Sequence, residues 1–232
     1  MREYLFRGVM GTAIILGILA LAFLTGFEHA SETNWFEVEL PPARFVGDLS
    51  VEEALAARRS VRAYTEESVT LEELSQLLWA AQGVTSAWGG RTAPSAGQTY
   101  PLEIYIVVGD VSGLEVGLYW YLPEEHRLVR RKVGELRAEL ARAARAQMWI
   151  EDAPVSLIIA ACYERTTERY GERGRRYVHI EVGHVGQNVY LQAEALGLGT
   201  VVVGSFNDRE VKDLCGIEEE PLAIMAVGKP VG

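Results

Sequence analysis

The sequence predicts an α+β domain, in which helices and strands are mixed along the chain. Three observations support this class. Two segments begin with helix capping boxes, two strongly apolar segments have the length of buried strands, and two alternating segments flank a turn. The last pair predicts a hairpin inserted among the helices, and this mixture favours the α+β class.

Composition limits the size and the partners of this domain. The chain has 232 residues, of which 49% are apolar, and this is enough for one well-buried domain rather than two. Its 32 acidic and 22 basic residues give a formal charge of −10, which argues against a general affinity for nucleic acid. The cysteines form no CxxC pair, and His179 and His184 are five residues apart, so no metal site is predicted.

Near the N-terminus, residues 8–27 form an uncharged run of twenty residues rich in Ile, Leu and Ala. A helix of this length spans about 30 Å, the thickness of the hydrocarbon core of a bilayer. We therefore expect a single-pass membrane anchor, with a short tail (residues 1–7) before it and a linker (residues 28–49) after it. A cleaved signal peptide with the site Ala20-Leu21-Ala22 is the competing interpretation.

The side of the membrane on which the domain lies stays open. Arg2 and Arg7 precede the apolar run, whereas glutamates fill the interval after it. By the positive-inside tendency, this charge bias suggests an extracytoplasmic domain.

The first half of the domain, which we place at residues 50–232, contains the capping boxes and the hairpin. Ser50 with Glu53 opens a helix that is expected to run through Arg59, and Thr70 with Glu73 opens a second that stops at Gly83. The elements predicted after these are a loop (84–100), a strand (102–108), a hairpin (117–122 and 126–133) and a charged helix (135–147).

The second half contains another apolar strand and a long helix. The predicted elements are a strand (154–163), a polar loop (164–176), a helix (177–196), a strand (201–204), a short helix capped by Asn207, and a last strand (222–227). The long helix is apolar on more than one face and includes Gly183 and Gly186, which would allow another helix to approach closely. This pattern predicts a homodimer formed through that helix.

Arg58, Arg59, Ser60 and Arg62 are the first candidate binding group. Guanidinium groups are planar, permanently charged donors suited to phosphate oxygens, and a serine hydroxyl adds one more donor. The alternative is structural, because cations at the C-terminus of a helix interact favourably with its dipole.

A loop of small residues and a glycine-flanked strand are the other two candidate groups. The loop is Pro94-Ser95-Ala96-Gly97, where small side chains let another flat body approach the backbone. The strand lies in ALGLGTVVVGSF, residues 195–206. Taken alone, the first is equally consistent with an ordinary turn, and the second with a helix C-cap followed by a core strand.

Together the three segments resemble the FMN-binding nitroreductase family, and within it the branch of SagB-type azoline dehydrogenases. They occur in the family's order, and the resemblance covers roughly residues 51–228. The most specific signal is PSAG followed by YPLE, residues 100–103. The resemblance implies a nitroreductase-like fold with a central mixed or antiparallel sheet flanked by helices, an FMN cofactor and a homodimer.

The resemblance also implies roles for individual residues. Arg58, Arg59, Ser60 and Arg62 would hold the FMN phosphate and ribityl chain. The loop of Pro94, Ser95, Ala96 and Gly97 would lie against the flavin ring, commonly that of the neighbouring subunit. A backbone N–H near Val203, Gly204 or Ser205 would point towards flavin N5 and stabilise negative charge on the reduced ring.

This sequence departs from the family pattern at two places. The basic C-terminal residues of many relatives are represented here only by Lys229. Azoline-oxidising members use a Lys-Tyr pair where this chain has Arg169-Tyr170, and arginine, unlike lysine, cannot act as a base near neutral pH. Tyr170 would remain as a proton donor or acceptor, with Arg169 beside it, unless it is only a solvent-exposed loop tyrosine.

The expected function is an FMN-dependent oxidoreductase that passes a hydride or electron pair through flavin N5 to or from a small organic or peptide substrate. NAD(P)H is one candidate electron donor, and it would favour a cytoplasmic domain. An azoline-type dehydrogenase and a nitro- or quinone-type reductase both stay open. The alternative from another class is a non-catalytic flavin- or nucleotide-binding module that acts as a sensor or assembly surface.

Overall fold

The structure is a computed structural model that describes residues 36–232. In chain order the elements are β1 (Glu37–Glu39), α1 (Val51–Ala57), β2 (Val69–Thr70), α2 (Leu71–Gln82), β3 (Leu102–Val108), β4 (Val111–Ser112), β5 (Gly117–Leu122), β6 (Arg127–Val133), α3 (Arg137–Ala143), α4 (Trp149–Asp152), β7 (Val155–Ala161), α5 (Glu164–Tyr170), α6 (Arg173–Ala195), β8 (Gly199–Val203), α7 (Asp208–Cys215) and β9 (Glu220–Gly228).

Seven of these strands form one sheet in the order β1-β6-β5-β3-β7-β9-β8. Every neighbouring pair in this sheet is antiparallel. The short strands β2 and β4 form a separate parallel pair. The predicted α+β class is therefore confirmed, and the main sheet is antiparallel.

Helices cover both faces of the sheet because its central strands are apolar on both sides. In β3, Ile104 and Ile106 belong to one buried cluster, together with residues of α2 and α6. Tyr105 and Val107, which point the other way, belong to a second cluster with residues of α3, α4 and α7. β8 is the outermost strand at one end of the sheet, and α6 packs on the face that carries the first cluster.

Both capping boxes form as the sequence predicts. The Ser50 and Thr70 side chains accept hydrogen bonds from the backbone N–H groups of Glu53 and Glu73, whose carboxylates accept from the cap residues in return. The first helix ends at Ala57, before the predicted end at Arg59, and Arg58 is its C-cap. The predicted strands and the 117–133 hairpin are also present.

The predicted polar loop of residues 164–176 is wrong, because most of this segment is helical. It contains α5, a turn at Gly171 and the first residues of α6. Contacts with residues that are distant in the sequence stabilise this polar segment as a helix. Thr166 is buried and its hydroxyl lies 2.7 Å from that of Thr99, and an added Cβ at Gly174 would lie 3.0 Å from the Thr167 backbone.

The two glycines of the long helix have different surroundings. A Cβ at Gly186 would lie 3.5 Å from Val202, so this glycine faces the sheet of its own chain. A Cβ at Gly183 would meet no atom within 4 Å. Only Gly183 is therefore open to another molecule, which corrects the predicted role of Gly186.

The prediction of a single-pass membrane location is wrong. Among residues 36–232, no helix is long and apolar enough to cross a membrane. The longest helix there, α6, carries charged residues such as Arg173, Glu181 and Glu194. The predicted span, residues 8–27, lies outside the described residues.

Part of the predicted linker joins the fold. Glu37–Glu39 pairs with β6 as an edge strand, and Leu40 is buried. Further on, the Arg44 N–H donates to Gln76 Oε1 over 2.8 Å, so this segment is tied to α2.

Candidate active site

The segment from Arg58 to Arg62 lies along the outer strand β8. Ser60 forms an isolated parallel bridge with Thr200, and the Val61 N–H donates to the Thr200 carbonyl oxygen over 3.0 Å. Gly199 allows this approach, because a Cβ there would lie only 2.7 Å from the Val61 side chain. The segment is thus fixed to the sheet within a few residues of its cations.

Tyr190 of α6 connects this segment to the strand. Its hydroxyl lies 3.1 Å from Ser60 Oγ and accepts a hydrogen bond from the Val202 N–H over 3.0 Å. The Arg58 guanidinium carbon lies over its ring, 5.1 Å from the centroid. Tyr190 was missed in the sequence analysis, because its contacts join parts of the chain that are far apart.

The three arginines of the segment differ in their partners. Arg59 donates to the carbonyl oxygens of Ala56, Ala57 and Arg58. It therefore caps the C-terminus of α1, which is the structural alternative to phosphate binding. Arg62 lies over the Trp149 ring at 5.7 Å. Neither Arg58 nor Arg62 has an ion-pair partner among residues 36–232.

The end of β8 places the third candidate group beside the first. Val203 is the last residue of the strand and is buried, whereas Gly204 and Ser205 are exposed. The Ser205 carbonyl oxygen accepts a hydrogen bond from Gln147 Nε2 over 2.9 Å. A Cβ at Gly204 would meet nothing within 4 Å, so the backbone is accessible there.

The loop of Pro94, Ser95, Ala96 and Gly97 meets the predicted catalytic pair. Arg169 Nη1 donates to the Gly97 carbonyl oxygen over 3.0 Å. Gly97 has φ +60°, and a Cβ on it would lie 2.4 Å from the Tyr170 hydroxyl oxygen. The structure therefore brings Arg169 and Tyr170 to the loop, which lies more than seventy residues before them in the sequence.

Tyr170 is half-buried at the end of α5, not on a solvent-exposed loop. Its ring packs edge-to-face on Tyr177 with centroids 5.2 Å apart. Arg165 on the same helix donates to the Tyr100 carbonyl oxygen over 3.0 Å and pairs with Glu103. These contacts hold α5 against the start of β3.

The loop group and the strand group share α6 as a support. His184 Nδ1 lies 3.2 Å from the Pro94 carbonyl oxygen, and Tyr190 lies further along the same helix. Within residues 36–232, no hydrogen bond or ion pair joins the loop group directly to Arg58 or Ser60. In the same part of the chain, no group of three His, Cys, Asp or Glu residues is placed to hold a metal.

Comparison with known proteins identifies the family. The profile described as "Nitroreductase family" matches residues 55–229, most of the described chain. The chain belongs to the nitroreductase family.

Three relatives illustrate the range of this family. A Methanocaldococcus jannaschii protein named as a nitroreductase is 54% identical over 195 residues, which are 84% of this chain and 97% of that protein. The FMN reductase [NAD(P)H] of Bacillus subtilis is 28% identical over 76% of this chain and 64% of its own length. The trifolitoxin-processing protein TfxB of Rhizobium leguminosarum bv. trifolii is 34% identical over 47% of this chain and 30% of its own length.

In this member of the nitroreductase family, the groups around β8 fit an anionic ligand. Arg58 and Arg62 carry positive charges without an ion-pair partner in residues 36–232, although the whole chain has a formal charge of −10. The Ser60 hydroxyl belongs to the same segment and lies 3.1 Å from that of Tyr190, over whose ring the Arg58 guanidinium lies. Unpaired guanidinium groups beside hydroxyl donors suit the oxygens of a phosphate group.

Proposed function

We propose that this protein is an FMN-dependent oxidoreductase that uses a nicotinamide nucleotide as electron donor. The observation that carries the proposal is the pair of guanidinium groups of Arg58 and Arg62, which have no ion-pair partner among residues 36–232. Both arginines belong to the segment fixed to the edge strand, where Arg58 lies over the Tyr190 ring and Arg62 over the Trp149 ring. The FMN and NAD(P)H in the name of the Bacillus subtilis relative support the choice of cofactor and donor.

In this proposal, each residue near β8 has a separate role. Arg58 and Arg62 bind the phosphate group, and Ser60 adds a hydroxyl donor. Backbone N–H groups of Val203, Gly204 or Ser205 face the ring at the accessible end of the strand, where a donor stabilises developing negative charge. When bound, FMN would supply two-electron transfer between the donor and an acceptor.

Tyr170 is proposed as the group that exchanges a proton with the substrate. Its hydroxyl lies beside Gly97, and Arg169 is held against the same glycine. Because a guanidinium group stays protonated, Arg169 contributes charge and position and does not act as a base.

We further propose a homodimer formed through α6 and the segment before α1. On α6, Ile180 is 49% exposed beside the open position of Gly183. Phe45 and Val46 are 81% and 87% exposed, at the edge of a cavity of about 430 Å³ between that segment and α6. A second subunit would cover these apolar surfaces.

A SagB-type dehydrogenase that acts on a peptide is the second candidate within this class. The PSAG–YPLE segment favours it, as does the match to a trifolitoxin-processing protein. Arg169 in place of the lysine of azoline-oxidising members argues for a different substrate or another base. Mass spectrometry of an azoline peptide after incubation with protein and FMN would decide, since oxidation lowers its mass by two hydrogens.

The FMN proposal is tested by replacing the unpaired cations. Arg58→Ala with Arg62→Ala removes charge-assisted hydrogen bonds worth about 1.5–3 kcal/mol each, so FMN affinity should fall by at least about 100-fold. The measurement is flavin absorbance of the purified protein, followed by fluorescence titration with FMN.

A matched control removes the same charge elsewhere. Arg173 and Arg176 are exposed residues of α6, and the double variant with alanine at both should keep its FMN. Full flavin occupancy after loss of Arg58 and Arg62 would contradict the proposed site. Flavin that binds but is neither bleached by NAD(P)H nor turned over by an acceptor would favour the non-catalytic module.

A further inference from the structure

Tyr100 closes the loop of residues 91–100 and is held at four points. Its backbone has φ +42°, in a left-handed region that residues other than glycine rarely adopt. Its N–H donates to Ser95 Oγ over 2.9 Å, and its carbonyl oxygen accepts from Arg165 Nη1 over 3.0 Å. Its ring and its hydroxyl group both contact Arg91, at the start of the loop. A strained backbone of this kind persists because the surrounding contacts fix it.

Arg91 connects Tyr100 to the rest of the fold. Its guanidinium carbon lies over the Tyr100 ring, 4.5 Å from the centroid, and its backbone N–H donates to the Tyr100 hydroxyl oxygen over 3.2 Å. The guanidinium group also donates to Gln82 Oε1 over 3.2 Å and forms an ion pair with Glu124. Gln82 is the last residue of α2, and Glu124 lies in the turn between β5 and β6. One side chain therefore ties the closed loop to two separate elements.

The burial of the Arg91 charge is better explained by geometry than by stability. Its side chain is only 9% exposed, and its Nε has no hydrogen-bond partner among residues 36–232. Removing a charged group from water is unfavourable unless its partners compensate it fully. The carboxylate of Glu124 is 61% exposed, so water screens much of the attraction. A planar guanidinium group can, however, lie flat on a ring while it donates from its edge.

The loop is in turn bound to α5 at positions one helical turn apart. Arg165 donates to the Tyr100 carbonyl oxygen, and Arg169 donates to the Gly97 carbonyl oxygen. Because residues four apart lie on the same face of a helix, one face of α5 follows the loop. Tyr170 is the last residue of this helix. The place of its hydroxyl beside Gly97 therefore depends on the shape of the loop.

We propose that Arg91 is a positioning residue, which holds Tyr100 in its left-handed conformation through the guanidinium–ring contact. The closed loop then presents Gly97 to Arg169 and Tyr170. Arg91 acts through the loop and does not act on the substrate. That Tyr170 exchanges a proton with a substrate rests on the proposed function, whereas the hold of Arg91 on the loop does not.

Hydrogen exchange of the full chain without added flavin tests the hold on the loop. Arg91→Met keeps an apolar stem but removes the guanidinium group, so the amides of residues 98–100 should exchange about tenfold faster or more. The strand β3, which follows the loop, should keep its protection. Arg91→Lys is a milder variant for the case that Arg91→Met does not fold. It keeps the charge without the planar group, and the same amides should exchange at least about threefold faster.

Two further variants separate this role from general destabilisation. Arg130 is the matched control, because its guanidinium group also lies over an aromatic ring, that of Phe36 at 4.4 Å, and pairs with Glu115. Arg130→Met should leave exchange of residues 98–100 unchanged. Tyr100→Asn removes the ring and introduces a residue that adopts the left-handed conformation more readily. In that background, Arg91→Met should add little, because both changes act through one contact.

Steady-state kinetics with FMN, NAD(P)H and the quinone menadione as acceptor test the effect on Tyr170. Arg91→Met should lower kcat by about tenfold, while the affinity for FMN, which depends on Arg58 and Arg62, changes little. Adding Arg91→Met to Tyr170→Phe should cause little further loss of kcat, because Arg91 acts through the position of Tyr170. A merely structural role would lower stability without this lack of additivity.

Three outcomes would overturn the role of Arg91. Unchanged loop exchange in both Arg91→Met and Arg91→Lys would show that Arg91 does not hold the loop. A full effect of Arg91→Met in the Tyr100→Asn background would assign the hold to Gln82 or Glu124. Additive losses of kcat with Tyr170→Phe would separate Arg91 from Tyr170. If the wild type binds no FMN on titration, the proposed function fails, and the exchange results still decide whether Arg91 holds the loop.

Discussion

Replacing Gly97 by alanine tests the contact between the loop and the predicted catalytic pair. The residue has φ +60° and ψ +21°, a left-handed conformation that costs an L-residue about 1–2 kcal/mol. The new Cβ would also lie 2.4 Å from the Tyr170 hydroxyl and 2.7 Å from Arg169 Nη1. Displacing these groups breaks the hydrogen bond from Arg169, worth about 1 kcal/mol at an exposed position.

We therefore expect Gly97→Ala to lower the free energy of unfolding by about 2–3 kcal/mol. Gly216 is the matched control, with φ +64° and no atom within 4 Å of an added Cβ. Gly216→Ala should lose only the conformational part, about 1–2 kcal/mol. The difference of about 1 kcal/mol corresponds to about 2–4 °C in Tm for a domain of this size. Urea and thermal unfolding followed by circular dichroism would measure it.

A second substitution separates the clash from the conformational cost. Tyr170→Phe removes the oxygen atom that the new Cβ would meet. In that background, Gly97→Ala should cost less than it does in the wild type, because part of the clash is gone. Equal costs in both backgrounds, or equal costs for Gly97→Ala and Gly216→Ala, would refute the contact on which the role of Tyr170 depends.

Three further predictions follow from other contacts. Tyr190→Phe leaves the Val202 N–H without its acceptor and should cost about 1 kcal/mol in urea unfolding; no change would mean that water replaces the hydroxyl. Burial lowers the pKa of His126 below 6.5, so unfolding free energy should fall as the pH drops below that value, and His126→Asn should flatten the curve. Gly183→Ala should stabilise helix α6 by about 1 kcal/mol, because alanine has the higher helix propensity. The added methyl group should nevertheless weaken the proposed dimer, as measured by sedimentation, and an unchanged dimer would place the interface elsewhere.

Elements defined by neighbouring residues could be predicted from the sequence. The capping boxes at Ser50 and Thr70 depend on side chains three residues away, so the pattern is complete within a few letters. The apolar strands β3 and β7 were predicted for the same reason, because burial on both faces leaves a continuous apolar run.

The helix α5 and the role of Tyr190 could not be read in this way. The helix contains threonines and charged residues, and its stability comes from partners such as Thr99 and Glu103, more than sixty residues away. Tyr190 is 130 residues from Ser60. The available signal was a tyrosine within an apolar stretch of α6, since a buried hydroxyl group needs a hydrogen-bond partner.

The sequence motifs select candidate segments, but only the structure shows how these segments are grouped. Arg59 matched the motif and yet caps α1 through three carbonyl oxygens. Gly97 and Tyr170 belong to separate sequence motifs, and the fold brings them into contact. Such pairings depend on the path of the chain through the sheet, which local spacing does not encode.

The bridge between Ser60 and Thr200 has a consequence for aggregation. β8 is the outermost strand at its end of the sheet, and a bare edge of this kind is a template for pairing with another chain. Here the Val61 N–H donates a hydrogen bond to the Thr200 carbonyl oxygen, and the Tyr190 hydroxyl accepts one from the Val202 N–H. The segment that presents the cations therefore also shields the sheet from edge-to-edge association, so we expect a variant that releases it to aggregate as well as to lose the proposed FMN site.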